Sequence, residues 1–118
     1  KFNIGNTKIN TFKHNHGSID VQTYRINNFA YSTDLKNFYE NDIDKLKDLD
    51  LWIVGLLRYD PHPSHSHVAQ TLEWIKMLEP EHAYLINLNI ELDYQKLSGQ
   101  VPKNVTVCHD MLKIIHKL

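Results

Sequence analysis

The sequence predicts an α/β fold, with a layered sheet that carries helices on at least one face. Short apolar segments bounded by turn residues alternate with segments of helical period, which is typical of this class. The chain has 118 residues and contains no internal repeat or low-complexity stretch. A chain of this length builds one hydrophobic core, so we predict a single domain over residues 1–118.

The first third of the chain predicts three strands. Residues Thr7 to Phe12 alternate polar and apolar side chains, and the segments Val21 to Ile26 and Phe29 to Thr33 follow. The last two segments are separated by Asn27-Asn28, a pair that favours a two-residue hairpin turn. Asp34 ends the third strand.

The rest of the chain alternates helices with strands. The predicted order of all elements is β-β-β-α-β-α-β-α-β-β. The elements after Asp34 are a helix starting at Asn41, a buried strand from Leu51 to Gly55, a helix from about Val68 that Pro80 stops, a strand from Ala83 to Ile86, a short helix from Leu92 to Leu97, and strands near Val105 to Cys108 and Leu112 to Ile115.

Composition excludes several classes of function. The chain has 13 basic and 14 acidic residues, and its basic residues are scattered, so we expect no nucleic-acid partner. No run approaches the roughly 18 apolar residues of a membrane helix, and no signal peptide is visible, so no membrane association is expected. Cys108 is the single cysteine, which excludes an internal disulfide and predicts a reducing, cytoplasmic location.

Histidines are concentrated at the ends of predicted strands. Two prolines stiffen the loop after Leu51 to Gly55, and three histidines lie within that loop: His62, His65 and His67. His14, His16 and Asp34 also follow strands, so these side chains can meet at one edge of the sheet. Of His14 and His16, we expect one to be a surface residue. Imidazole ligands favour zinc or manganese over magnesium.

Each candidate also has an ordinary structural interpretation. From spacing alone, Asp34 is as compatible with a turn or a helix cap as with metal ligation. Arg58 can clamp a phosphate of a substrate or pair with a nearby carboxylate. His67 can begin the next helix, and His62 can be a solvated loop residue.

Several segments occur in an order and spacing that cover nearly the whole chain. They are FKHNHG at 12–17, YRI at 24–26, FAYSTD at 29–34, LWIVGLLRY at 51–59, PHPSH at 61–65, LEWI at 72–75 and AYLINLNIELDY at 83–94. Together they resemble the C-terminal half of a metallo-β-lactamase-fold hydrolase, closest to the branch with the phosphoribosyl cyclic phosphodiesterase of phosphonate utilisation. The resemblance implies the C-terminal half of an αββα sandwich.

The resemblance also implies roles for three residues. His16 falls where the family has a metal-binding histidine before a glycine, and Asp34 falls where an aspartate bridges two metals. His65 falls at the histidine that acts as a general acid toward the leaving oxygen. Zinc or manganese is the implied cofactor, and Arg58 is our candidate for substrate binding.

The sequence departs from the family pattern in one decisive respect. The HxHxDH motif, which supplies most of the metal ligands, is absent from this chain. The last metal-binding histidine falls at Asn87, whose carbonyl oxygen is a weak replacement, and nearby Asn89 offers no imidazole either. We therefore expect the chain alone to be inactive.

Two functions follow from these observations. The first is a metal-dependent hydrolase that acts on a small phosphodiester once the missing N-terminal half is supplied. The alternative is a degenerate, metal-free half-domain that serves as an interaction or vestigial protein. In the second case the exposed sheet face predicts a homodimer.

Overall fold

The computed structural model describes residues 1–88 and 92–118. Its strands and helices are β1 (Phe2–Ile4), β2 (Thr7–His16), β3 (Ile19–Ile26), β4 (Phe29–Ser32), β5 (Leu51–Gly55), α1 (Val68–Leu78), β6 (His82–Ile86), α2 (Tyr94–Ser98) and β7 (Val105–Val107), with a 3-10 turn at Asp42–Leu46. The strands form one seven-stranded sheet in chain order. The predicted α/β class is confirmed.

The direction of the strands decides which ends meet. Neighbouring strands from β1 to β4 are antiparallel, whereas β4 to β7 are parallel. As a result β2, β4, β5 and β6 all end at the same edge of the sheet. The turn between β3 and β4 consists of Asn27 and Asn28, with Asn27 in the left-handed region at φ 50°, as the predicted two-residue hairpin requires.

One face of the sheet, the inner face, packs against α1 and forms the core. The fully buried Trp52 and Val54 alternate with Ile53 along β5, so they point to this face. Among the other buried side chains here are Ala30, Ala83, Leu85 and Val107 from the sheet and Trp74, Ile75 and Leu78 from α1. The helix ends at Glu79, which is left-handed at φ 50° and bonds back to the Ile75 carbonyl. Pro80 follows, as predicted.

The opposite, outer face of the sheet is only partly covered. Its side chains are Tyr24, Ile26, Phe29, Tyr31, Leu51, Ile53, His82, Tyr84, Ile86 and Thr106. The C-terminal segment crosses one end of this face, where Ile114, His116 and Leu118 help to line a cleft of about 270 Å³. The tyrosines lie beyond that cleft.

Two predicted elements are not found in the structure, and one observed strand was not predicted. The strand expected at Leu112 to Ile115 is wrong, because this segment forms no ladder and instead lies on the outer face. Its alternating burial comes from that contact. The helix expected from Asn41 is a 3-10 turn, and Asn41 is left-handed without a side-chain cap. The short strand β1 was not predicted.

None of the helices within residues 1–88 and 92–118 is long and apolar enough to span a membrane.

Candidate metal site

Three elements bring the candidate ligands together at one edge of the sheet. His16 is the last residue of β2, Asp34 follows the end of β4, and His65 lies in the loop after β5. One ligand atom from each of these residues lies within 4.8 Å of the other two. The predicted convergence of these three residues is therefore present in the structure.

The contacts within the cluster are close. His65 Nε2 lies 3.7 Å from Asp34 Oδ1. The rings of His16 and His65 are nearly perpendicular, with centroids 4.7 Å apart. Asp34 is left-handed at φ 51°, a conformation that aspartate tolerates better than most residues. Strain of this kind is concentrated at functional sites.

Ser64 contacts all three histidines around it. Its carbonyl accepts a hydrogen bond from His16 Nδ1 at 2.8 Å, and its hydroxyl lies 3.0 Å from His65 Nδ1. Its backbone N–H donates to His62 Nδ1 at 3.1 Å. A single loop residue thus orients imidazoles that come from two separate parts of the chain.

The loop that carries Ser64 is fixed at both ends. The Ser66 hydroxyl donates to the Gly55 carbonyl at 2.8 Å, and the Ser66 N–H bonds to the Leu35 carbonyl. The Val68 N–H donates to the Arg58 carbonyl at 3.0 Å. The sequence predicted a stiff loop from its prolines, but it did not predict the role of these two serines.

His14 lies beneath the cluster and is completely buried. The expectation that one histidine of the pair is a surface residue is wrong, because residues two apart on a strand share a face. His14 Nε2 donates to the Thr33 carbonyl at 2.9 Å, and its Nδ1 lies 2.7 Å from the Thr23 hydroxyl. The Thr23 hydroxyl lies 3.0 Å from the Ser32 hydroxyl, which accepts from Trp52 Nε1.

This buried network holds the residue next to Asp34. The Thr33 carbonyl can only accept a hydrogen bond, so it fixes a proton on His14 Nε2. Burial lowers the pKa of His14, although the hydrogen bond to Thr33 opposes that effect. The network therefore supports the turn that presents the Asp34 carboxylate.

The same physical causes act on His65. Burial lowers the pKa of His65, and the neighbouring His16 and His62 lower it further by charge repulsion. The Asp34 carboxylate opposes this shift through charge and hydrogen bonding. The neutral imidazole is consequently favoured more than in a solvated histidine, and the neutral form is the one that binds metals.

The other predicted residues flank the cluster. The Asn87 amide donates to the Thr33 hydroxyl at 2.6 Å, which places it beside the Asp34 turn. Arg58 is half-buried at the start of the histidine loop, and its backbone pairs with that of His67. His67 is the N-cap residue of α1, as one of its two interpretations predicted. Asn89 falls outside the described residues.

The donor set fits a divalent transition metal. Two imidazoles and one carboxylate are ligands that zinc and manganese accept. Because the Ser64 carbonyl can only accept, the hydrogen bond fixes a proton on His16 Nδ1 and leaves the Nε2 lone pair available. Such an outer hydrogen bond is usual for histidines that bind metals.

Comparison with known proteins agrees with this geometry. A solved structure described as a new diphosphatase from the PhnP family superposes with a TM-score of 0.94 and 26% sequence identity, over 99% of this chain and 46% of that chain. A Porphyromonas gingivalis (strain ATCC BAA-308 / W83) protein named octanoyltransferase is 28% identical over 89 residues, which are 75% of this chain and 18% of that protein. This chain thus spans about half of the first protein and under a fifth of the second.

The family itself follows from a longer match. Residues 1–86 match the family described as the beta-lactamase superfamily domain, which confirms the resemblance found in the sequence. These residues include all of the strands β1 to β6 and the three clustered side chains. With well over half of its length matched, the chain belongs to the beta-lactamase superfamily domain family.

Proposed function

We propose that this chain supplies one half of the active site of a metal-dependent hydrolase that cleaves a small phosphodiester. The observation that carries the proposal is the convergence of His16, Asp34 and His65 within 4.8 Å at the edge where β2, β4, β5 and β6 end. The similar solved structure is described as a diphosphatase, which supports chemistry at a phosphoryl group.

In this proposal each residue of the cluster has a separate role. His16 and Asp34 hold metal ions, zinc or manganese, and His65 protonates the leaving oxygen. When bound, such ions polarise the phosphoryl group and lower the pKa of the attacking water. His65 Nε2 faces the Asp34 carboxylate, which opposes the lowering of the His65 pKa by burial and by the neighbouring histidines and so favours the proton that this role needs. Arg58 would offset charge on the phosphate, and Asn87 would be a weak additional ligand.

The second half of the site is proposed to come from outside these 118 residues. The HxHxDH motif that provides most metal ligands in the family is absent here, and the similar solved chain is about twice as long. The half carrying that motif can belong to another segment of the same protein or to a separate chain. Either arrangement would bring it to the edge that holds Asp34.

Complementation tests this function directly. The purified chain is mixed with a polypeptide that carries an HxHxDH half, and hydrolysis of bis(p-nitrophenyl) phosphate is measured with zinc or manganese. We expect activity in the mixture and none in either component. The Asp34→Asn variant should abolish that activity, whereas His82→Ala, at the opposite end of β6 from this edge, should leave it unchanged. A stable complex with metal bound and no hydrolysis would contradict the proposal.

A second candidate function is a metal-free interaction protein that forms a homodimer. It is favoured by the outer face of the sheet, where Tyr24 is 40% exposed and the neighbouring tyrosines are half-buried. Apolar and aromatic sheet faces of this kind are usually covered by a partner. Metal analysis of the purified protein distinguishes the two candidate functions, since the hydrolase requires bound metal and the interaction protein does not.

We also propose that the protein is cytoplasmic. Cys108 is its single cysteine, and burial raises the pKa of its thiol, so the unreactive protonated form is favoured. Fractionation of cells that express the tagged protein tests this location.

A further inference from the structure

We propose that a basic cleft, at the end of the sheet opposite the candidate metal site, binds the phosphate group of a small phosphorylated molecule. The cleft has a volume of about 350 Å³ and is lined by Lys1, Asn10, Thr11, Phe12, Arg25 and Lys45. This inference goes beyond the proposed function, because it concerns a separate ligand and requires neither metal nor hydrolysis.

The basic cleft lies far from the cluster at the other end of the sheet. Asn10 and His16 are both on the extended strand β2. Each residue of a strand advances the chain by about 3.3 Å, so about 20 Å separates these two positions. Arg25 pairs with Asn10 in the ladder between β2 and β3 and therefore lies at the same distant end. A small ligand in the cleft does not reach the cluster.

Cationic side chains approach the basic cleft from three separate elements. Lys1 precedes β1, Arg25 is on β3 and Lys45 is in the 3-10 turn. Among the described residues that line the cleft there is no acidic side chain, although Lys45 also forms an ion pair with Asp42 at 2.8 Å. The whole chain has 13 basic and 14 acidic residues, so this excess of positive charge is local. A concave site with charge of one sign attracts ions of the opposite sign.

Arg25 is held in place by backbone carbonyls. Its Nε donates to the Asn27 carbonyl at 2.9 Å, and its Nη1 donates to the Lys45 and Lys47 carbonyls at 2.6 and 2.7 Å. Within residues 1–88 and 92–118, no carboxylate pairs with this guanidinium, and Nη2 makes no hydrogen bond. The carbonyls fix the guanidinium without neutralising it, so its charge and the two N–H groups of Nη2 are available to an anion.

Two lysines at the cleft carry like charges close together. The hydrogen-bonding contact with Lys1 and the positive charge of Lys1 lower the pKa of the neighbouring Lys8 ammonium. Two ammonium groups repel each other unless an anion lies between them. Lys45 is held by a different contact, with its Nζ 5.3 Å from the centre of the Phe12 ring. An anion in the cleft would therefore reduce the repulsion between the two lysines and contact a third, already positioned ammonium group.

A phosphate group fits this arrangement better than a carboxylate does. A phosphate monoester carries about 1.5 to 2 negative charges at pH 7 and has three acceptor oxygens. A carboxylate has one charge, and a single guanidinium binds both of its oxygens. Cations that come from three elements can each contact a different phosphate oxygen. The volume of the cleft is within the range of about 300–1,000 Å³ that is usual for small-molecule sites.

NMR titration of the purified, metal-free chain with inorganic phosphate and diphosphate tests the inference. We expect saturable binding that shifts the Arg25 Nε signal and the Asn10 and Thr11 amide signals. Acetate at the same ionic strength should bind more weakly by about tenfold or more, because it loses at least one hydrogen bond between charged groups. Arg25→Gln and Lys45→Gln should each weaken phosphate binding by about tenfold for the same reason.

Control variants distinguish a specific site from general attraction to positive charge. Lys76→Gln removes a cation of α1, outside the cleft, and should leave the affinity unchanged. Arg25 also holds the backbone of the 3-10 turn, so circular dichroism checks the fold of its variant, and Lys45→Gln leaves those carbonyls in place. Equal weakening by Lys76→Gln and Lys45→Gln, equal affinity for acetate and phosphate, or shifts confined to the histidine cluster would overturn the inference. The assay contains no metal, so none of these results decides whether the complemented protein is a hydrolase.

Discussion

Gly17 lies where the turn after β2 meets the loop that carries the histidines. Its φ of +69° is in the left-handed region, and a Cβ at this position would be 2.9 Å from Ser64 Cβ and 3.3 Å from Ser64 Cα. Glycine is needed here for two reasons that act together, namely the backbone conformation and the lack of space. The residue that follows His16 therefore determines how closely the histidine loop approaches.

Gly17→Ala should destabilise the protein more than Gly5→Ala. Gly5 has a similar φ of +59° but nothing within 4 Å of its Cβ position, so its substitution measures the backbone cost alone, roughly 1–2 kcal/mol. The contact with Ser64 should add about 1–3 kcal/mol at Gly17. Urea denaturation of both variants measures the difference. Equal losses in the free energy of unfolding would show that the loop with Ser64 moves away from the added Cβ without destabilising the protein.

His14 should make the stability depend on pH. Burial lowers its pKa in the folded protein below the usual 6.5, so below about pH 6.5 the unfolded chain binds more protons than the folded chain. Stability then falls as the pH decreases from 7 toward 5 and is regained as the pH rises.

His14→Gln removes this titration while keeping an amide donor near the Thr33 carbonyl. We expect unfolding free energies measured between pH 5 and 7 to vary less in this variant than in the wild type. His65, whose pKa is also lowered, contributes equally to both proteins and cancels in the difference. Parallel pH profiles would rule out His14 as a source of the dependence.

Short elements with local hydrogen bonds complete the parallel part of the sheet. Helix α2 has five residues, and it begins at Asp93, whose carboxylate accepts the N–H groups of Gln95 and Lys96 at 2.9 and 3.2 Å. Leu97 is the buried residue of this helix. Because so short a helix is not stable alone, its cap and its single buried side chain decide whether it forms.

Asp93→Ala should destabilise the protein by about 1 kcal/mol, the usual cost of losing an N-cap. Asp93→Asn keeps an oxygen acceptor and should retain most of the stability. Thermal unfolding followed by circular dichroism measures both variants. If both lost the same amount, the contribution of Asp93 would come from its charge and not from the cap.

The strands with more buried residues were the ones that the sequence predicted. β5 and β6 were predicted because each contains a short continuous apolar run, such as Leu51 to Gly55, although Ile53 and Tyr84 on the outer face are only half-buried. β1 was not predicted, since all three of its residues are exposed and pairing with β2 holds it in place. The false strand at Leu112 to Ile115 is apolar enough to resemble a strand, but Ile114 lines the cleft on the outer face of the sheet and Ile115 is exposed.

The site was predictable to the same limited degree. His16, Asp34 and His65 were identified from a resemblance that covers the chain, and their positions at strand ends agree with a shared edge. Spacing alone could not rank them above His62 or His67. The role of Ser64 could not be predicted, because it depends on a contact between residues 48 positions apart, for which the sequence contains no pattern.

At the scale of the whole molecule, the two faces of the sheet are unequal. The inner face is sealed by α1 and the connecting loops, with Trp52 and Val54 fully buried. On the outer face Tyr31 and Tyr84 stay half-buried, and the C-terminal segment covers only the end near Leu51. An aromatic face of this kind favours association with another surface.

The chain should therefore form a homodimer through its outer face when no other partner is present. Tyr31→Lys should shift the chain to a monomer, because it places a charge in the centre of that face. Met77→Lys is the matched control, since Met77 is 58% exposed on α1 and lies on the opposite side of the sheet. Small-angle scattering at high protein concentration measures the state, and a monodisperse wild-type monomer would contradict the prediction.

The shared edge of β2, β4, β5 and β6 separates the residues that form the sheet from the clustered side chains of the candidate site. The ladders and the core determine where each strand ends, and the candidate ligands lie at those ends or just past them. Substitutions at Asp34 or around His65 would therefore leave the register of the strands unchanged. The same holds for a change in the length of the loop that carries His65. Loss or gain of catalytic groups at this edge is a route by which such a domain can change its chemistry while its architecture persists.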